Sequence, residues 1–183
     1  ITSETVSFIL GPRINACGRM GSAVRALDLL LCEDPDTCNE LAAEINDLNT
    51  KRHEAENEIY SKAKEYIKEH PETEYAPVIT VAGEGLAQGV IGIAAAKLAS
   101  EYARPAVVIS YEGENARASA RSIEGFELHD AFEKVSSDLS GFGGHALAAG
   151  CSLKTENIPA FIAHLNEYAA SQSFTYPVLR IDC

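Results

Sequence analysis

The 183-residue sequence predicts an α/β protein: a long helix followed by a domain with a central mixed β-sheet flanked by helices. Three observations carry this. Leu41, Ile45, Leu48, Ala55, Ile59, Ala63 and Tyr66 recur at spacings of three, four or seven, the period of a helix over residues 36–69. Residues 77–82 and 105–110 are apolar, largely β-branched runs separated by a loop and an Ala-, Ile- and Leu-rich helix over residues 90–102. Strand, helix, strand in that order is a right-handed βαβ unit. A turn at Glu112-Gly-Glu-Asn115 then joins the second strand to a third, residues 116–122, as an antiparallel hairpin.

Length allows one domain with an appendage or two small ones, and 46% hydrophobic residues supply a core. No apolar run approaches the roughly 20 residues of a membrane span, and residues 1–20 lack a basic-then-apolar leader pattern. The first residue is Ile rather than Met, so the chain is expected to be a piece of a longer one. Cys17, Cys32, Cys38, Cys151 and Cys183 are odd in number and share no CxxC spacing, and the five His residues are scattered. This argues against a zinc site or disulfide framework and for reduced thiols in a cytoplasmic protein. The net charge of −12 argues against a general nucleic-acid coat, though a local basic pocket remains compatible with it. Much of the acid lies in residues 33–74, as on a solvated helix face.

Taken in order, residues 1–20 show little helix or strand pattern. Gly11-Pro12 reads as a break and Arg13, Asn15 and Arg19 as polar loop residues. Ser22 is placed to cap a short helix over residues 23–32. Asp34-Pro35-Asp36 stops it and starts the long one. Arg52 falls on the apolar stripe and predicts a pair with Glu56, four residues on. His70-Pro71 ends the helix. Residues 83–89 form a loop at the carboxyl end of the first strand, where ligands of such units bind. Its glycines lack the spacing of a dinucleotide fingerprint. After the hairpin come a helix with Leu128, Ala131, Phe132 and Val135 on one face, a loop over 141–145, a strand over 146–153 and a last helix burying Phe161, Ile162, Leu165 and Tyr168. His129 is expected to be partly exposed, and residues 177–182 to be an extended exit.

The chemistry concentrates between Ser119 and Gly150. Ser119-Ala-Arg-Ser122 closes a strand, and the planar fork of Arg121 suits a phosphate bidentately. Gly143-Gly144 allows close backbone approach, and His145 adds a donor to an oxyanion or phosphate. Together they suggest an anion pocket. The alternative is a tight turn beside a surface His and a surface Arg.

Four stretches, Gly11 to Met20, Gly89-Val-Ile-Gly-Ile93, Ser119-Ala-Arg-Ser122 and Gly141 to Gly150, in this order and spacing, resemble the C-terminal half of RecJ-type single-stranded-DNA exonucleases of the DHH/DHHA1 phosphoesterase superfamily. The resemblance implies that residues 1–21 are the tail of a DHH domain, 22–74 a helical connector, 75–172 a DHHA1 domain, and 173–183 a lead-out toward an OB-type domain. It implies hydrolysis of phosphodiester bonds from the 5′ end of single-stranded DNA, in recombination and repair, with Mn²⁺ or Mg²⁺ held by Asp and His residues of the DHH domain. His145, Gly143 and Gly144 would meet the scissile phosphate. Arg121, Ser119 and Ser122 would hold nucleotide phosphates. Arg13, Asn15 and Arg19 would lie near the DNA end, and Gln88 and Gly89 would line the cleft. No Asp-His-His sequence occurs, so no metal and no hydrolysis are expected of this chain alone. Leu86 and Ala87 stand where members often carry an aromatic residue and a His, which removes a base-stacking platform. Dimerisation of the isolated chain through the connector is a further expectation. The alternatives are a phosphoesterase of short oligonucleotides or cyclic dinucleotides, and a silent binding or assembly module.

Overall fold

The computed structural model describes residues 1–172, so the exit segment expected at 177–182 lies outside the described residues. The chain forms two compact units, Ile1–Glu58 and the residues from Ile59 on.

The first unit is helical throughout. A π-helical turn, Thr5–Leu10, leads into α1 (Gly11–Met20), then α2 (Val24–Leu31) and the first part of α3 (Pro35–Glu69). The loop expected over residues 1–20 is therefore helix. Pro12 sits in the first turn of α1, where no backbone N–H is needed, and the Gly11 N–H bonds to the Val6 carbonyl. The pair that reads as a break in isolation thus fits a helix start. Cys17, Ala26 and Ile45 form the small core, with Leu29 and Leu48 against it. The Ser22 hydroxyl accepts from the Val24 N–H at 3.3 Å. Asp34 Oδ2 accepts from the backbone N–H and the hydroxyl of Thr37 at 2.8 and 2.6 Å, and these bonds hold its carboxyl below the usual carboxylate range. Arg52 is 7% exposed and reaches Glu56 at 2.9 Å, the pair that the interrupted stripe predicts.

α3 runs for 35 residues, about 50 Å at 1.5 Å per residue. From Ile59 on it contributes Ile59, Ala63 and Ile67 to buried positions. Lys64 Nζ lies 2.8 Å from Glu101 and 2.6 Å from the Tyr102 hydroxyl, and Tyr60 donates to the same carboxylate. This network keeps the Glu101 carboxyl low and the Lys64 ammonium high, and fastens α3 to α5 (Ile91–Tyr102). A short α4 (Pro71–Tyr75) follows His70 and was not legible in sequence.

The second unit holds one mixed sheet of β1 (Ile79–Glu84), β2 (Ala106–Glu112), β3 (Asn115–Arg121), β4 (Gly141–His145) and β5 (Ala148–Lys154), in the order β1-β2-β3-β5-β4. β1 and β2 are parallel through the α5 crossover, and the other pairs are antiparallel. Residues 141–145, expected as a loop, are an edge strand. Three of its five residues are glycine, which carries no strand preference, so only pairing with β5 reveals it. β1 likewise extends through Gly83.

The two faces differ. On one, Ala118, Ala120, Ala149, Cys151 and Leu153 alternate into the main core. There α6 (Leu128–Lys134) and α7 (Ile158–Ser171) supply Leu128, Phe132, Phe161 and Leu165, each fully buried. Three ring pairs meet near edge-on, among them Phe132 and Phe161 at 5.8 Å. On the other face α5 packs on β1, β2 and β3, and among the described residues β4 stays exposed.

Candidate functional site

Strand register assembles the site. Directly opposed residues share a face, so three rows lie side by side on the face that α5 half covers. The first is Arg121–Ala148–His145, the second Ser119–Gly150–Gly143 and the third Arg117–Ser152–Gly141. β3 supplies Arg117, Ser119 and Arg121, and the strands beyond it add His145 and Ser152 in the outer rows and only glycine in the middle one. All five residues of β4 are exposed. Arg121 and His145 stand two strand spacings apart, about 10 Å between backbones, within joint reach of one phosphate for two long side chains.

Each member has a local cause for its position. Arg121 donates from Nη1 to the Ser119 hydroxyl at 3.3 Å and to the Ala120 carbonyl at 2.8 Å. Gly92, in the first turn of α5, makes this possible. A Cβ there would lie 2.8 Å from Ser119 Oγ and 3.1 Å from an Arg121 nitrogen, so its absence admits both side chains against the helix. His145 is exposed and sits before a turn pinned on both sides. The Leu128 N–H donates to the Ala146 carbonyl at 2.9 Å and the Ser122 N–H to the Leu147 carbonyl at 3.0 Å. Gly144 has φ +146°, and a Cβ would come within 2.4 Å of the Ala148 carbonyl oxygen. Gly143 has nothing within 4 Å of its missing Cβ. The two adjacent glycines therefore do different things: one lets the backbone close against β5, the other keeps the face open.

A cleft of about 470 Å³ runs beside these rows, lined by Gln88, Ile91, Arg117, Ser119, Gly141 and Ser152 among others. Its acceptors and donors are hydroxyls, an amide and a guanidinium, a set suited to a phosphate-bearing ligand. Cys151 also borders it, but its side chain faces the core and burial pushes the thiol up to about 12. It is therefore no nucleophile at neutral pH. Among the described residues no three His, Cys, Asp or Glu side chains gather to hold a metal ion.

Of the residues singled out from sequence, Ser119, Arg121, Gly143 and His145 share the face, and Gln88 lines the cleft. Gly89 lies half-buried in the loop before α5. Ser122 stands just past β3, and its hydroxyl donates to the Phe126 carbonyl at 2.7 Å, closing the turn into α6. Arg13, Asn15 and Arg19 lie on α1 in the first unit. There Arg13 donates to Asn46 at 2.6 Å and to the Ile9 carbonyl at 2.8 Å. Leu86, at the expected stacking position, is buried against Gly83. His129 is exposed, as expected, with its ring 5.7 Å from that of Phe142. Sequence reading missed Gly92, Arg117, Gly150 and Ser152. Counting back by two from Ser119 would have found Arg117. The others need the register.

The DHHA1 domain family matches residues 75–171, more than half of the chain. The chain belongs to the DHHA1 domain family. The sheet, α5, α6 and α7 are thus its DHHA1 domain. The chain is 42% identical over 168 residues to the single-stranded-DNA-specific exonuclease RecJ of Bacillus subtilis, covering 91% of this chain and 21% of that protein. It is 33% identical over 181 residues to RecJ of Haemophilus influenzae, covering 92% and 31%. The fold matches the crystal structure of RecJ from Thermus thermophilus in complex with Mn²⁺, with a TM-score of 0.82 and 30% identity over 95% of this chain and 25% of that one. The chain therefore spans about a fifth to a third of the length of these curated relatives. The likeness extends beyond the DHHA1 domain into the helices before it.

Proposed function

We propose that this chain is the substrate-holding portion of a metal-dependent 5′→3′ single-stranded-DNA exonuclease of RecJ type, acting in the cytoplasm in DNA recombination and repair. The observation that carries this is the 42% identity to a single-stranded-DNA-specific exonuclease across nearly the whole chain, joined to a phosphate-suited face built by Ser119, Arg121 and His145. In this reading residues 1–21 are the tail of a DHH domain, 22–74 a connector, 75–172 the DHHA1 domain and 173–183 a lead-out.

Arg121 and the Ser119 hydroxyl hold a nucleotide phosphate, and His145 donates to its oxygens from the other end of the Arg121–Ala148–His145 row. Gly143 and Gly150 let the sugar–phosphate backbone lie against the sheet. Gln88 and Gly89 bound the cleft, and Ser122 joins Arg121 and Ser119 in holding nucleotide phosphates; Arg13, Asn15 and Arg19, in the first unit, meet the DNA end. Mn²⁺ or Mg²⁺, held outside these residues, supplies the activation of water. The isolated chain binds without hydrolysing.

The test is fluorescence anisotropy of a labelled, 5′-phosphorylated single-stranded oligonucleotide at low salt without metal, with Arg121→Ala and His145→Ala beside the parent chain. Salt-sensitive binding, weakened in both variants, is expected. Equal binding by all three would remove the face from the substrate path.

A further inference from the structure

The third row has a cation that the proposed function leaves unused. Arg117 lies on β3 two residues before Ser119 and four before Arg121, on the same face. It is exposed, lines the cleft with Gln88, Ser152 and Gly141, and makes no ion pair or side-chain hydrogen bond among the described residues. Arg121, by contrast, is folded back onto Ser119 and Ala120. At about 3.3 Å per residue, the two Arg backbones are about 13 Å apart. Arg121 is tied to Ser119 and Ala120, whereas Arg117 is free to reach a ligand of its own. Between their rows runs a track of Gly143 and Gly150, where β4 and β5 present no side chain to this face.

We propose that Arg117 holds a second phosphate of the same strand, displaced along the sheet from the one at Arg121. Arg117 stands two rows from Arg121 with the Gly143–Gly150 row between them, an arrangement that suits a polyanion laid over the glycine track. Arg117 thereby sets a preference for a strand of several nucleotides over a single nucleotide. This deepens the proposed function and rests on it. The chemistry needed is a repeating phosphodiester, which a free nucleotide lacks.

The experiment measures binding of thymidine 5′-monophosphate and of 5′-phosphorylated oligothymidylate to the 183-residue chain and its Arg117→Gln, Arg117→Lys and Arg121→Ala variants, over a range of salt. Arg117→Gln is expected to weaken oligothymidylate about tenfold at low salt and to leave the mononucleotide unchanged. The slope of log affinity against log salt should flatten by about 0.7, one phosphate contact. Arg117→Lys should keep the steeper slope, because it keeps the charge. Equal loss for both ligands would place Arg117 in the first phosphate position, and no loss for either would remove it from the site. Either result overturns the proposal. If Arg121→Ala lowers both ligands, the proposed function stands whatever Arg117 does. If the parent chain binds neither, or Arg121→Ala changes neither, the proposed function itself fails.

Discussion

Gly143 and Gly144 are adjacent and chemically identical, yet the structure gives them opposite tasks. Gly144, at φ +146° and in contact with the Ala148 carbonyl and the Ala149 backbone, cannot accept a Cβ. Alanine there should cost about 2–4 kcal/mol through strain and overpacking, read as a lower midpoint in urea unfolding. Alanine at Gly143 meets open space and should change stability by no more than about 0.5 kcal/mol. It should nonetheless weaken oligonucleotide binding, because it raises a methyl group on the open face. Equal destabilisation by the two substitutions would contradict this division. Arg121 depends on a third glycine of the same kind, Gly92, which sequence reading passed over inside a stretch it had already singled out.

At the scale of elements, α7 is tied to the turn that precedes β4. His164 Nδ1 lies 2.7 Å from Asp138 Oδ2, and Asn157 donates to the Asp138 carbonyl at 3.2 Å. The carboxylate raises the His164 pKa above its ordinary 6.5. A pKa raised by folding means that the folded chain binds the proton more tightly, so the contribution is complete below about pH 6.5 and is lost as pH rises through the raised value. The melting temperature of the parent chain should therefore exceed that of His164→Ala at pH 5.5, and the gap should shrink by pH 9. A gap independent of pH would show that packing, not charge, joins these elements. The acidic end of the long helix behaves in the opposite sense: Asp34, lowered by its Thr37 bonds, supports the helix start above the ordinary carboxylate range and loses that role as pH falls.

At the scale of the whole molecule, exposed apolar side chains are concentrated near the start of the chain. Val6, Phe8, Ile9, Leu10 and Ile14 precede Val24, Leu27, Leu30 and Leu31 on α2, and all are at least 40% exposed. So many exposed large apolar side chains within the first 31 residues exceed the single ones of an ordinary surface. The isolated chain should self-associate through them, as dimers or larger species in sedimentation velocity at micromolar concentration. Replacing Phe8, Leu30 and Leu31 with Ser should shift the distribution to monomer, whereas replacements in the stripe of α3, where Ile45, Ile59 and Ile67 are buried, should unfold rather than dissociate it. Persistent association in the Ser variant would point to another surface.

The α/β class, the long helix, its Arg52–Glu56 pair, the βαβ unit and the hairpin were all legible from residues alone. Periodicity, capping and turn chemistry are local, and each repeats along the chain often enough to be counted. That Ser119, Arg121 and His145 share a face could be anticipated only as a grouping of local patterns, small residues around a cation and a Gly-Gly-His run, which the register then places together. Two things were not legible. Residues 11–20 became helix with Cys17 packed on Ala26 and Ile45, partners outside the segment. Residues 141–145 became strand because β5 offered the hydrogen bonds that glycine cannot announce. Register then decided which side chains share a face, and so brought Arg117, Ser152 and Gly150 beside Ser119. Sequence determined which residues carry groups suited to a phosphate. Only tertiary structure decided which of them stand together, because a strand's neighbours are set by pairing across the sheet and not by order along the chain.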